Sequence, residues 1–434
     1  MKPVEDGMLE GPTRLGDRFD PSRIFSAAKL MANIENSVCD TSRQAVKQYT
    51  LRAAIQEAND TAGADKIDFN ISGTASVKTI SPTSPLPAIT DPVTVDACTQ
   101  PGASPNTQTE GNDAVLRIKL SGANAGRRAR GLQIRAADST IKGLVVSRFG
   151  MDGIRVAGTG ATGNSIEGNF IGTDASGTQD LGNDGNGVSV GSANNTIGGT
   201  VSGAGNLISG NVSFGVFIAA YGTEVKGNTI TDNGYIGVQI RYGDGNTVGG
   251  TGSDAGNQIS NNGGHGVSLW FDSGTGNRIL SNQIYGNDRL GIDLDNFDGI
   301  SCCVTANDID DPDTGANNLQ NFPVISSATR DSTTGTTTIT GTLNSNPSQT
   351  YTIQCFVTEA GGDPSGHGEG QTFLAETTTA TDANGDATFT CTSDAPAVGN
   401  MVSVTATNTS GTAPGTAIGD TSEFSQNVTI TSST

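Results

Sequence analysis

Two aspartates two positions apart, Asp293 and Asp295 in the phrase GIDLDN, carry the chemistry most directly readable in this chain. On an extended strand, residues i and i+2 share a face with backbones roughly 6 to 7 Å apart, and paired carboxylates at that range can serve as general acid and base in glycoside hydrolysis. Upstream, Arg241, Trp270 and Asp272 fall on the same edge of a repeating pattern, placing a cation, a ring and a third carboxylate near the pair. Tyr221, Tyr242, Trp270 and Phe271 occur at one turn of three successive repeats, in a chain with 1 Trp and 6 Tyr. Flat apolar faces beside Arg241, Asp244 and Asp272 suit pyranose rings and their hydroxyls. Each feature also has a plain structural reading. The aspartates can solvate the last repeat or bind a cation, and the rings can stiffen the turns on which they stand.

A second acidic group, Asp308, Asp310, Asp311 and Asp313 in NDIDDPDTG, has the alternating oxygen ligands that Ca²⁺ takes. It lacks the glycine and distal glutamate of an EF-hand loop, so a solvated acidic loop is the simpler reading. The 2 histidines, His265 and His367, leave little room for a His-based triad or a His-rich metal site. No serine sits in a nucleophile-elbow motif. Asparagines recur at positions 164, 195, 206, 228, 246, 277 and 282, where side-chain amides can satisfy backbone groups in tight corners.

The element that must position these residues is a repeat. Glycine, apolar, any residue, apolar is written five times between Gly187 and Asp295: GVSV from Gly187, GVFI from Gly215, GVQI from Gly237, GVSL from Gly266 and GIDL from Gly291. The phrases between them (NNTIGG, GNLISGN, KGNTITDNG, GNQISNNG) are short alternating runs split by turn residues. The steps from Gly131 to Gly153 and from Gly215 to Gly237 are each 22 residues, and longer coils carry insertions such as TDASGTQDLGN. Three short strands in that length are too few for a propeller blade and have no helical phase, so a parallel β-helix is expected, with insertions as surface loops. In its Gly-h-x-h signatures the apolar residues would point inward, leaving the x residues and the following turn as exposed columns.

Residues 1–45 show no period and are expected to be irregular or partly helical; 46–320 would form the β-helix with an N-terminal cap, and 321–434 a β-sandwich. The capping element is TLRAAIQEAND, in which Leu51, Ala54, Ile55 and Ala58 follow helical spacing behind a Thr50 N-cap. The sandwich is read from six or seven alternating strands after Pro323, among them TTTITGTL and QTYTIQCFVT. Cys355 and Cys391 lie on two of these, and a disulfide between neighbouring strands is expected. The fold class is therefore all-β: a right-handed parallel β-helix with a short capping helix and a C-terminal antiparallel sandwich.

The net charge of −20 argues against nucleic acid as a partner, and a polyanionic substrate would meet repulsion unless cations intervene. There is no apolar run long enough to span a membrane and no signal-peptide pattern, although the Thr-, Ser-, Asn- and Gly-rich composition has an extracellular style.

The phrases TLRAAIQEAN, SPLPAITDPVTVDACTQPGA, NTIGGTVSGAGNLISGN, LGIDLDNFDG and TGANNLQNFPVISSA resemble bacterial secreted proteins with a CSLREA-type N-terminal segment and right-handed parallel β-helix repeats. One departure is Tyr49, which stands where that segment's first cysteine would be and leaves Cys39 without its expected partner. The resemblance implies the pectate-lyase-like superfold, which hosts lyases, glycoside hydrolases, epimerases, adhesins and phage tailspikes, and so does not by itself imply a reaction. The functional expectation is an extracellular carbohydrate-interacting protein acting on a polysaccharide or cell-surface glycan. It extends to polysaccharide degradation by a hydrolase or lyase; the alternative is a non-catalytic surface, adhesion or structural module.

Overall fold

Each coil's aliphatics can be buried only against the same residue type one coil away, and that requirement builds the molecule. In the computed structural model, which describes residues 29–32, 48–108, 111–252, 254–294, 304–359, 363–410 and 418–433, short strands stack into three parallel sheets of ten, eight and seven strands. Together they form a right-handed parallel β-helix. The seven-stranded sheet consists of Leu132–Ile134, Ile154–Val156, Val188–Val190, Val216–Ile218, Val238–Ile240, Val267–Leu269 and Ile292–Leu294. Its register aligns Leu132, Ile154, Val188, Val216, Val238, Val267 and Ile292 in one buried column. A parallel column in the eight-stranded sheet runs Val146, Ile171, Ile208, Ile230, Ile259, Ile284. Each such side chain is worth about 1.5–3 kcal/mol when fully buried, a gain that no isolated coil can collect.

The turns are locked by side-chain amides. Asn183, Asn211, Asn233 and Asn262 each donate through Nδ2 to the Oδ1 of the next asparagine, ending on Asn287, at 2.9 to 3.0 Å. A second ladder runs Asn169, Asn206, Asn228, Asn257, Asn282. Each Oδ1 also accepts a backbone N–H from the preceding coil, so a buried corner that would otherwise hold orphaned donors is satisfied. The ladder explains the glycine of the repeat. A Cβ at Gly187, Gly215 or Gly237 would strike an isoleucine of the eight-stranded sheet, the next coil's glycine carbonyl and the ladder amide.

Both ends are closed. Leu51–Asp60 is an α-helix with Thr50 Oγ1 accepting from the Ala53 N–H, and its buried Leu51, Ala54, Ile55 and Ala58 join the β-helix core. Ahead of it, Lys29–Ala32 forms a strand parallel to Asp65–Phe69, where an irregular or helical segment was expected. At the far end the chain forms a sandwich of two four-stranded sheets, mostly antiparallel, whose closing strand Thr431–Ser433 pairs parallel with Val324–Asp331. Phe356 and Phe424 from this sandwich pack into the β-helix core. Its Glu369 extends the first ladder, accepting from Gly286 N, Asn287 N and Asn287 Nδ2 at 2.6, 3.1 and 2.9 Å. Glu423, also buried, accepts from Leu294 N and Thr305 N. Burial raises the pKa of both acids above the ordinary glutamate value.

The disulfide forms between Cys355 and Cys391. It does not join neighbouring strands: Cys355 lies on Thr350–Thr358 of one sheet and Cys391 on Asp386–Ser393 of the other, so it crosses the sandwich core. Among the described residues Cys98 is a half-buried free thiol, while Cys39, Cys302 and Cys303 lie outside them. No helix among the described residues is long and apolar enough to cross a membrane.

Removing one rung should therefore be costly although no apolar contact is lost. Asn233→Ala is expected to destabilise the chain by about 2–4 kcal/mol, since more than one buried group loses its partner. Glu224→Ala, at an exposed position of the same coils, should stay within about 0.5 kcal/mol. Denaturation followed by circular dichroism checks both, and equal stability of the two variants would contradict the ladder's role.

Candidate functional site

The outward column of the seven-stranded sheet reads Gln133, Arg155, Ser189, Phe217, Gln239, Ser268, Asp293. The expectation that these positions are exposed is corrected: Ser189, Gln239, Ser268 and Asp293 are buried, with Gln239 at 1% and Asp293 at 6% exposure. The physical reason is bonding along the column. Gln239 Nε2 donates to the Ser268 carbonyl at 3.0 Å, and Ser268 Oγ donates to Asp293 Oδ2 at 3.1 Å. His265, one coil above, brings Nε2 to 3.7 Å from the same oxygen. Burial, and secondarily the charge of Arg289, pushes the His265 pKa down to about 4, so the imidazole is neutral at ordinary pH. A count of two histidines gives no sign of this contact, since the closeness of His265 to Asp293 is set by coil length, which no local motif displays. Asp295, the other half of the proposed carboxylate pair, lies outside the described residues.

The turn that follows these strands holds the aromatics. Tyr221, Tyr242 and Phe271 are 56%, 52% and 36% exposed on three successive coils. Trp270 is half-buried, with its ring centroid 6.1 Å from that of Phe271. Arg241 is held between two rings, its Cζ 4.6 Å from the Tyr242 centroid and 4.8 Å from that of Trp270, and its Nε lies 3.6 Å from Asp272 Oδ1. The turns are tied to each other by backbone hydrogen bonds, Tyr242 N to Asp272 O and Gly243 N to Ser273 O at 3.1 Å. Exposed Asp244 accepts from Thr275 N at 2.8 Å, so its carboxylate also holds a turn. The result is a fixed edge in which the rings, one cation and Asp272 stand together, while Asp293 is recessed on the adjoining face.

The four aspartates considered for Ca²⁺ do not assemble. Asp311 is buried, with its carboxylate accepting from Ser345 Oγ, Gln320 Nε2 and Asn321 N, and burial pushes its pKa up to about 7. Burial and the neighbouring Asp313 also raise Asp308, and Asp310 uses its backbone N–H on Asn344. Among the described residues no group of three or more His, Cys, Asp or Glu is arranged to hold a metal ion.

No protein-family model matches the sequence, and no curated protein does either. Among solved structures, the A-module of Azotobacter vinelandii mannuronan C-5 epimerase is similar at 17% identity, with 55% of this chain and 74% of that chain covered and a TM-score of 0.30. The enzymatically active domain of bacteriophage CBA120 tailspike protein 2 shows 12% identity over 82% of this chain and 70% of its own, with a TM-score of 0.26. Pectate lyase Pel9A shows 14% identity over 62% and 74%, also with a TM-score of 0.26.

The His265 environment has a measurable consequence. Its folded pKa lies below the ordinary 6.5, so the stability its neutral form contributes is full above pH 6.5 and is lost as pH falls toward about 4. His265→Gln should lose less stability across that window than the parent protein, by up to about 3 kcal/mol. Identical pH profiles in thermal denaturation would contradict the assignment.

Proposed function

We propose that this chain is an extracellular glycan-binding β-helix protein whose binding edge is formed by Tyr221, Arg241, Tyr242, Trp270, Phe271 and Asp272. The observation that carries the reading is the exposure of Tyr221, Tyr242 and Phe271 on three successive coils, with Arg241 held between the rings of Tyr242 and Trp270. Rings repeated at the coil spacing of about 4.8 Å offer successive apolar faces to a chain of sugars, while Arg241, Asp244 and Asp272 offer hydrogen bonds to hydroxyls. Rigid turns keep the ordering cost of binding low. The sandwich disulfide supports an oxidising, extracellular setting. The partner is accordingly a polysaccharide or a cell-surface glycan.

Polysaccharide degradation is the finer reading, with Asp272, Asp293, Asp295 and Arg241 as its acting groups. The burial of Asp293, and its engagement with Ser268, favours the second reading of a non-catalytic surface or adhesion module.

A glycan panel, screened with and without Ca²⁺ for binding, new reducing ends and unsaturated-uronate absorbance, tests both. The account expects binding to at least one glycan, weakened about tenfold or more, roughly 1.4 kcal/mol, in Tyr242→Ala/Phe271→Ala with unchanged melting temperature. Binding that is unaltered in that variant, or absent throughout the panel, would overturn the reading. Product formation abolished by Asp293→Asn would favour degradation over the binding module.

A further inference from the structure

The net charge of −20 conceals a local reversal. Residues 117–155 contain nine Lys and Arg against two Asp, in a chain with 24 basic and 44 acidic residues overall. The fold gathers most of the arginines of this stretch around one border of the seven-stranded sheet, while Arg117 is bonded to the Gly102 carbonyl elsewhere. Arg127, Arg128 and Arg130 lie in the turn that leads into Leu132–Ile134, and Arg148 lies in the corresponding turn before Ile154–Val156. A Cβ on Gly150 would meet the backbone of Arg127, so the two turns are in contact. Across the three-residue strands, Arg135 follows directly and Arg155 is the outward residue in register with Gln133.

Little acid offsets them. Asp152 is buried and is spent on Arg130 at 2.9 Å and Arg155 at 3.8 Å. Asp138 lies in the turn beyond Arg135; on the next coil, Asp180 caps the Gly182 N–H and Asp184 is exposed. Arg127, Arg128, Arg135 and Arg148 are all exposed, and none forms an ion pair within 4.0 Å among the described residues. Exposed guanidinium groups held on a rigid turn form bidentate bonds to carboxylates and sulfates, and their summed field extends about 8–10 Å at moderate salt. Lys119 has its pKa lowered by burial and then by Arg148, with Asp174 opposing the shift.

We propose that the first coils carry an anion-binding surface, centred on Arg127, Arg128, Arg135 and Arg148, that takes the carboxylate or sulfate groups of an acidic glycan. The proposal rests on the glycan-binding reading and gives it a substrate class. Arg127, Arg128 and Arg148 border the seven-stranded sheet on the turn before its strands, and Arg135 directly follows its strand, as Arg241 and Trp270 follow theirs on later coils. The stacked rings of Phe214 and Phe217, 5.7 Å apart, and Tyr235, 5.5 Å from Phe214, stand on the coils of Tyr221 and Tyr242, on or before the strands that those two residues follow. A sparsely charged polysaccharide lying along the helix axis would meet arginines first and rings further on. A nucleic acid is disfavoured because its dense phosphates would run into the strongly acidic remainder of the chain.

The test compares Arg127→Gln/Arg128→Gln/Arg135→Gln with Tyr242→Ala/Phe271→Ala in the full chain, using polygalacturonate, heparin, a neutral glucan and a single-stranded oligonucleotide at 50 mM and 300 mM salt. The expected result is salt-dependent binding of an acidic glycan that the arginine variant weakens tenfold or more at low salt, with neutral-glycan binding unchanged. Acidic-glycan binding that is equal in the arginine variant and the parent, or no acidic-glycan binding, would overturn the proposal. So would an oligonucleotide bound more tightly than either acidic glycan. Loss of neutral-glycan binding in the aromatic variant alone reports on the edge and not on the arginines, so the two failures are distinguishable. An arginine variant with a lowered melting temperature is replaced by Arg135→Gln, judged by the same criteria.

Discussion

The corners that hold the ladder asparagines are buried between two coils, and their backbone donors have no water to turn to. The asparagine ladders are the answer to that constraint. Each amide satisfies the coil above through its oxygen and the coil below through its nitrogen, as Asn233 does between Asn211 and Asn262. Because the ladder amide, an isoleucine and the next glycine carbonyl all crowd one point, Gly153, Gly187, Gly215, Gly237 and Gly266, each just before a strand of the seven-stranded sheet, have to be glycine. The repeat visible in the sequence is thus the trace of a polar requirement as much as of an apolar one.

A ladder must also end. Glu369 of the C-terminal sandwich terminates the first one by taking the donors of the Asn287 corner, while Glu423 takes the N–H groups of Leu294 and Thr305 and Asp420 that of Gly276. Asn317 closes the remaining edge by exchanging bonds with Asn277. Phe356 and Phe424 then cover the last apolar layer. The sandwich is therefore a cap in chemical as well as in steric terms. Carboxylates suit the task because each offers several acceptor positions to N–H groups that point the same way.

What was legible in the sequence follows the range of the interactions involved. The helix at Leu51–Asp60, its Thr50 cap and its buried face are set within four residues, and they could be read directly. The Gly-h-x-h signature and its inward aliphatics repeat often enough to be read as well. The asparagines were legible as turn residues but not as a ladder, because each one's partner is one coil distant. The same holds for His265 beside Asp293, for the burial of Asp311 and for a disulfide that crosses sheets instead of joining neighbours. The arginine turns were hidden for another reason: a net charge averages over the whole chain, while binding responds to a few ångströms of surface.

Scaffold and function separate on this view. Glycines, aliphatics and ladder asparagines are dictated by stacking, and the residues free to carry recognition are those that stacking leaves open on the flanks of the seven-stranded sheet. Hydrogen–deuterium exchange with and without a bound acidic oligosaccharide tests that separation most directly. The account predicts new protection in the turns at 127–131, 219–223, 241–245 and 270–276, with the sheets already protected in the free protein and unchanged on binding. Protection appearing instead on the ten- or eight-stranded sheet, or in the sandwich alone, would contradict it.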